Sequence, residues 1–166
     1  PLAWVTSGAP VEILEAMGIA SVYPENYGAL CGARRVATEL CQAAEAQGYS
    51  QDVCSYARAS IGSLYAPDIA PMGGLPKPDL LIASNNICGT VVKWFQALAD
   101  HLSVPLFLLD TPYIHAEQPP AHAIAYVAAQ MEELIQWLTA HTGRRMDSAQ
   151  LRRVADQSNR AVALWK

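Results

Sequence analysis

The chain has 166 residues, enough for one domain with a buried core, and its composition, 52% hydrophobic and 16% charged with a net charge of −4, is that of a soluble globular protein. No basic tract follows a phosphate backbone and no apolar run is long enough for a bilayer, so neither nucleic acid nor membrane is an expected partner. No signal peptide opens the chain, so a reducing cytoplasm is the expected compartment and the four cysteines are not read as two disulfides.

Leu2 to Thr6 reads as a short strand, and Ser7-Gly8-Ala9-Pro10 leads into a helix from Pro10 to about Met17. A second strand spans roughly Ala20 to Tyr23. After Pro24-Glu25-Asn26 a long amphipathic helix is predicted from about Tyr27 to Ala46, with Gly48 as its stop. An apparent strand then hands over to a helix from Cys54 to Tyr65, followed by a proline- and glycine-rich loop from Ala66 to Pro78 that includes Gly73-Gly74. Asp79 to Ala83 is a continuous apolar run, the mark of a buried parallel strand. Gly89 to Leu102 has helical spacing, Val104 to Leu109 is another apolar strand, and Asp110-Thr111-Pro112-Tyr113 closes it. From Pro119 the chain is predicted helical through Thr142 and again from Ser148 to Lys166, with Gly143 as the break.

Alternating strands and helices predict an α/β fold, a doubly wound Rossmann- or flavodoxin-like parallel sheet with a helical C-terminal extension. Residues 1–142 are expected to form this domain, and 143–166 to lead towards a second domain absent from the chain. Pro1 in place of an initiator methionine, and Lys166 inside a helical pattern, suggest a piece of a longer polypeptide.

In such folds ligands bind outside the carboxyl ends of the strands. Ser7, Glu25, Cys88 and Asp110 each fall just after a predicted strand, and Cys54 is expected on the same rim. Both Cys54 and Cys88 are predicted at helix N-termini, where unpaired N–H groups favour a thiolate that can bind metal. The alternative is that they are small buried hydrophobes. They lack the close C-x-x-C pairing that marks a zinc or ferredoxin site, and iron–sulfur is preferred over zinc because no histidine accompanies them. His101 and His141 end helical patterns, while His115 and His122 flank a loop. Cys31 and Cys41 lie about eighty degrees apart on the expected long helix. Cys41 reads as core, and Cys31, near that helix's start, is the one local candidate for an additional ligand. Glu25 suits either proton transfer or a helix N-terminal charge, and Ser7 either substrate placement or an N-cap. The Arg34-Arg35 and Arg144-Arg145 pairs read as solvated helix surface. Dinucleotide, P-loop and serine-hydrolase signatures are absent from the sequence.

Five stretches in fixed order carry a resemblance: W-V-T-S-G-A-P-V-E-I-L, Y-P-E-N-Y, D-V-C-S-Y-A-R-A-S-I-G, P-D-L-L-I-A-S-N-N-I-C-G-T-V-V-K-W-F and P-L-F-L-L-D-T-P-Y. Over essentially its whole length the chain resembles the N-terminal half of a cluster-bearing subunit of the 2-hydroxyacyl-CoA dehydratase and benzoyl-CoA reductase family. The resemblance implies a 4Fe-4S cluster held by three cysteines per subunit, of which Cys54 and Cys88 match the first two and the third belongs to a second domain. Neither Cys31 nor Cys41 matches a ligand position. Ser7 and Glu25 match a serine and a glutamate near the substrate thioester.

The chemistry implied is reductive. An ATP-hydrolysing 4Fe-4S activator protein injects one electron, the cluster passes it to an acyl-CoA substrate, and a ketyl-type radical expels the hydroxyl. In a benzoyl-CoA reductase the aromatic ring takes up electrons and protons instead. A homologous second subunit is the implied partner. A non-catalytic electron-transfer subunit and a structural subunit with buried cysteines are the alternatives. Ser84, Asn85 and Asn86 suit either hydrogen-bond donors to the cluster or a strand-end turn. Apolar surface is expected along the helix containing Trp137 and the segment ending at Trp165.

Overall fold

The computed structural model describes residues 1–165. Four parallel strands, β1 (Leu2–Val5), β2 (Ala20–Val22), β3 (Leu80–Ser84) and β4 (Leu106–Leu109), form a sheet in the order β2-β1-β3-β4. Ala3 pairs with Leu80, and Leu81 with Leu106. The central strands β1 and β3 are covered on both faces, which is why they read as apolar runs without alternation, and all five residues of β3 are buried.

The period of two divides their side chains between two cores. Ala3, Val5, Leu80 and Ile82 meet α1 (Val11–Ala16) and α6 (Ala121–Thr142) through Ile13, Leu14, Leu134 and Leu138. Trp4, Leu81 and Ala83 meet α4 (Ser55–Tyr65) and α5 (Gly89–Leu102) through Ala57, Ile61, Trp94 and Phe95. Helices on both faces of a parallel sheet are the predicted doubly wound arrangement. A third layer, α2 (Pro24–Ala33) and α3 (Ala37–Glu45), packs on α4 around Tyr27, Cys31, Leu40, Cys41 and Ala59. At Gly62 an added Cβ would overlap the Leu40 carbonyl, so α3 and α4 approach too closely for any side chain there. The Ala66–Pro78 loop is pinned from beneath, the Trp4 indole donating to the Pro76 carbonyl and the Tyr27 hydroxyl to the Pro71 carbonyl, both at 2.9 Å.

The predicted long helix from Tyr27 to Ala46 is two helices. Its first half begins earlier, at Pro24, and ends in a turn at Arg34-Arg35-Val36. Arg35 takes a left-handed φ of 60° while Val36 N–H donates to the Cys31 carbonyl and Arg35 N–H to the Gly32 carbonyl. These two bonds make a Schellman motif with arginine where glycine usually sits. Cys31 therefore lies near the end of a helix and not at its start. The stops expected at Gly48 and Gly143 are present, both with positive φ.

No strand precedes Cys54; Tyr49–Val53 is irregular chain. Arg34 and Arg35 form the turn just described, and Arg144 and Arg145 lie in the connection to α7 (Ser148–Leu164), so neither pair is helix surface. The Ser158 hydroxyl donates to Glu12 at 2.6 Å where α7 meets α1. The expected extension of this helix to Lys166 lies outside the described residues. Trp137 is half-buried against Phe107, whereas Trp165 is 92% exposed. No described helix is long and apolar enough to cross a membrane.

Candidate functional site at the carboxyl edge of the sheet

From β1 the chain moves outward to β2, then returns across the sheet to β3 and β4. The reversal falls between β1 and β3, the switch point at which folds of this kind place the ligand crevice. Ser7-Gly8 follows β1 and Asn85-Asn86 follows β3. The two loops touch, since an added Cβ on Gly8 would collide with the Asn86 side chain. Beneath them Thr6 Oγ1 accepts the Ser84 N–H at 3.1 Å, a buried bond that closes the floor of the crevice.

Glu25, half-buried in the first turn of α2, joins the same rim by accepting the Ser7 backbone N–H on Oε2 at 2.6 Å. Ser7 is exposed and caps no helix; α1 begins after Pro10 without a side-chain cap. Less than one turn further along α2, Gly28 leaves room for the ring of Tyr56, two residues beyond Cys54. A continuous set of contacts thus runs from the Cys88 loop through Ser7 and Glu25 to the start of α4.

Cys54 and Cys88 are the N-cap residues of α4 and α5, as the sequence predicts, and both thiols are exposed and free. Neither helix has a side-chain cap bond, so its first-turn N–H groups are unfilled from the cap position. Val53, before Cys54, and Gly89, after Cys88, line one cavity of about 360 Å³ together with Tyr49, Trp94 and Lys93. Neither thiol lines that cavity itself; both are exposed, held neither by packing nor by a disulfide. This suits a two-thiolate contribution to an iron–sulfur group. Among the described residues no three His, Cys, Asp or Glu side chains gather closely enough to hold a metal ion. Further ligands would have to come from elsewhere.

Cys31 and Cys41 belong to the core. Both are buried, and burial pushes both thiols above their ordinary range. The Tyr27 phenol beside them is pushed up to about 12, first by burial and then by its neighbour Cys31. Cys41 donates to the Ser55 carbonyl at 3.6 Å. These observations remove Cys31 as a candidate ligand and agree with the core reading of Cys41.

Of the three residues expected to donate to a cluster or form a turn, Ser84 is buried in β3 and Asn85 builds the turn. Asn85 Oδ1 accepts both the N–H and the hydroxyl of Thr111 at 2.7 Å, and its amide donates to Asp110. Asp110 also accepts from the Tyr126 hydroxyl at 2.8 Å, and Gln130 brackets its backbone by donating to the carbonyl at 2.6 Å and accepting the N–H at 2.8 Å. The Asp110 bond is the main reason the exposed Tyr126 phenol is shifted upward. Sequence reasoning placed Asp110 on the rim but missed Tyr126 and Gln130, whose spacing of four on a predicted helix was the available signal. It also missed Arg58, which donates to the Val53 carbonyl at 2.8 Å and pairs with Glu45 behind Cys54.

Comparison with known proteins matches residues 6–166 to the family described as 2-hydroxyglutaryl-CoA dehydratase, D-component. The alpha subunit of lactoyl-CoA dehydratase from Anaerotignum propionicum is 37% identical over 98% of this chain and 42% of its own length. The (R)-2-hydroxyisocaproyl-CoA dehydratase alpha subunit of Clostridioides difficile is 36% identical over 100% of this chain and 40% of its own. A subunit of the benzoyl-CoA reductase of Thauera aromatica is 30% identical over 90% of this chain and 35% of its own. The chain thus spans about two-fifths of the length of the dehydratase relatives. These matches agree with the resemblance carried by the five sequence stretches, and the chain belongs to the 2-hydroxyglutaryl-CoA dehydratase D-component family.

Proposed function

We propose that this chain is the N-terminal domain of a subunit of an iron–sulfur 2-hydroxyacyl-CoA dehydratase, which removes the C2 hydroxyl and a C3 proton from its substrate as water. The observation that carries this reading is the juxtaposition of Ser7 and Glu25 at the crevice between β1 and β3, on the rim that also bears two free N-cap thiols. Cys54 and Cys88 would supply two of the ligands to a 4Fe-4S cluster, with a third from a second domain beyond residue 166. When bound, such a cluster supplies a low-potential electron for reduction of an acyl-CoA thioester.

The chain's own residues do the rest. Glu25 uses Oε2 to hold the Ser7 backbone, and its other oxygen, which makes no hydrogen bond among the described residues, is the one free to carry a proton. The Ser7 hydroxyl stands exposed beside it and orients the substrate or a water. The Asn86 side chain packs against Gly8 on the same rim. A homologous second subunit and an ATP-hydrolysing activator complete the proposed assembly, and the alpha-subunit names of the dehydratase relatives support the former.

The second reading, ATP-dependent reduction of benzoyl-CoA, is favoured by the 30% identical reductase relative alone. The full-length protein with its partner, purified anaerobically, tests these readings. Cys54→Ala and Cys88→Ala are expected each to abolish a roughly four-iron content and its EPR signal. Glu25→Gln is expected to retain the iron while lowering kcat by about a hundredfold or more. Unchanged turnover in Glu25→Gln with an intact cluster would leave a non-catalytic, electron-transfer role. Ring reduction of benzoyl-CoA without dehydration of any 2-hydroxyacyl-CoA would select the reductase.

A further inference from the structure

Behind Cys54 the third layer reaches the rim through its own side chains. Cys41 and Glu45 lie four residues apart on α3, hence on one face of it, and both act on the start of α4. Cys41 Sγ donates to the Ser55 carbonyl at 3.6 Å, while the Glu45 carboxylate pairs with Arg58. Arg58 donates in turn from Nε to the Val53 carbonyl at 2.8 Å, and from its backbone N–H to the Cys54 carbonyl at 3.0 Å. The peptides on both sides of Cys54 are thus tied to α3, directly or through Arg58, while its thiol stays exposed.

We propose that Arg58 is a positioning residue for Cys54: it fixes the peptide that carries this ligand before an iron–sulfur group arrives and sets, together with Glu45, the charge behind that group. The inference rests on the dehydratase reading, in which Cys54 is a cluster ligand, and adds the residues that hold and tune it.

Three observations carry it. The first is geometric. A guanidinium is a rigid fork, and here one of its nitrogens serves the Val53 carbonyl and another the Glu45 carboxylate, a fixed spacing that an ammonium on a flexible stem does not offer. The second is electrostatic. The side chains of Arg58 and Glu45 are only 17% and 20% exposed, so removing one leaves the other as an uncompensated, partly buried charge. Burial is the main cause that raises the neighbouring Cys41 thiol, but Arg58 opposes it and Glu45 and Cys54 add to it, which puts all three within electrostatic reach of one point. The third is contrast. Cys88 holds the same N-cap position on α5, yet among the described residues no side chain hydrogen-bonds to the backbone of Ile87, Cys88 or Gly89. Cys54 is therefore the preset ligand, and Cys88 the one that adapts to it.

The test uses the full-length enzyme with its partner subunit, purified anaerobically, and reads two quantities that need no turnover. One is the rate at which a ferrous chelator strips the iron, and the other is the midpoint potential of the cluster followed by EPR. Arg58→Lys keeps the charge but loses the fork, so iron loss is expected to quicken about tenfold or more while the potential stays near that of the wild type. Arg58→Gln is expected to quicken iron loss as well. It also leaves Glu45 uncompensated, which disfavours the more negative, reduced cluster and lowers the potential. Glu45→Gln keeps an acceptor for the guanidinium but leaves its charge uncompensated, so the potential is expected to rise. Opposite signs mark an effect of charge, since loosening alone would move both glutamine variants the same way.

If circular dichroism shows that Arg58→Gln does not fold, Arg58→Lys and Glu45→Gln decide by themselves. An unchanged rate of iron loss in Arg58→Lys, or a potential that fails to rise in Glu45→Gln, would overturn the proposal and leave the dehydratase reading standing. A wild-type enzyme without iron, or a Cys54→Ala variant that keeps all of it, would reject the ligand assignment instead, and the role of Arg58 with it.

Discussion

Ser7 meets Glu25 through its backbone, so the contact that joins the first two strand ends is indifferent to the side chain at position 7. Ser7→Ala therefore removes the hydroxyl alone, while Glu25 substitutions alter both the proton carrier and the tether. Asn85 is the opposite case, because its whole role lies in its side chain. It joins the β3 loop that leads to Cys88 with Thr111 and Asp110 at the end of β4. Asn85→Ala deletes these bonds at a half-buried position and is expected to cost about 2 kcal/mol, read as a lower urea midpoint with an unchanged m-value. A change below about 0.5 kcal/mol would show that water replaces the amide at little cost. Cys88 was legible from its place between a strand end and a helix start, and Cys54 from its helix start alone, since the strand expected before it is not formed. Arg58 was not, because its partner Glu45 belongs to a different helix and only tertiary packing brings the two together.

At the scale of elements, the misread helix is the instructive case. Apolar spacing continues from Tyr27 to Ala46 without glycine or proline at the actual break, so the periodic signal joined two helices. The turn is carried by Arg35 in a left-handed conformation that costs an ordinary residue roughly 1 kcal/mol. Arg35→Gly is expected to relieve that strain, offset in part by the greater freedom glycine gives the unfolded chain. The net gain should be about 0.5 kcal/mol, measured as a small rise in Tm. A fall in Tm would mean that the arginine side chain makes a compensating contribution at the surface. The strand expected before Cys54 failed for a local reason: the polar run Ser50-Gln51-Asp52 forms a turn, with the Ser50 hydroxyl accepting the Asp52 N–H at 3.2 Å and the Ser50 carbonyl the Val53 N–H at 3.1 Å. The apolar runs at Asp79–Ala83 and Val104–Leu109, by contrast, led to β3 and β4 with their ends displaced by a residue or two.

For the whole molecule, the distribution of burial sets the response to pH. Tyr27, Cys31 and Cys41 share one core, are neutral when protonated, and are all displaced upward by burial, Tyr27 to about 12. The folded state therefore keeps protons that the unfolded chain releases near the ordinary values of 9.0 and 10.0. Their contribution to stability is complete below pH 9 and is lost as pH rises towards 12. Urea midpoints measured across this window should decline, and the decline should be shallower in Tyr27→Phe. The layered architecture and the rim were legible from the order of the elements, because alternating strands and helices leave few arrangements.

The bond between Ser84 and Thr6 joins residues 78 positions apart, and the crevice lies directly above it. More than half of the 166 residues must therefore emerge before the Ser7 and Cys88 loops can meet. Contacts of such long sequence separation form slowly, because closing the intervening loop is entropically costly before any pairing offsets it. Any metal group that uses Cys88 in its final surroundings must then arrive after β1 and β3 have paired. During synthesis, the timing of its insertion would be set by the folding of the sheet.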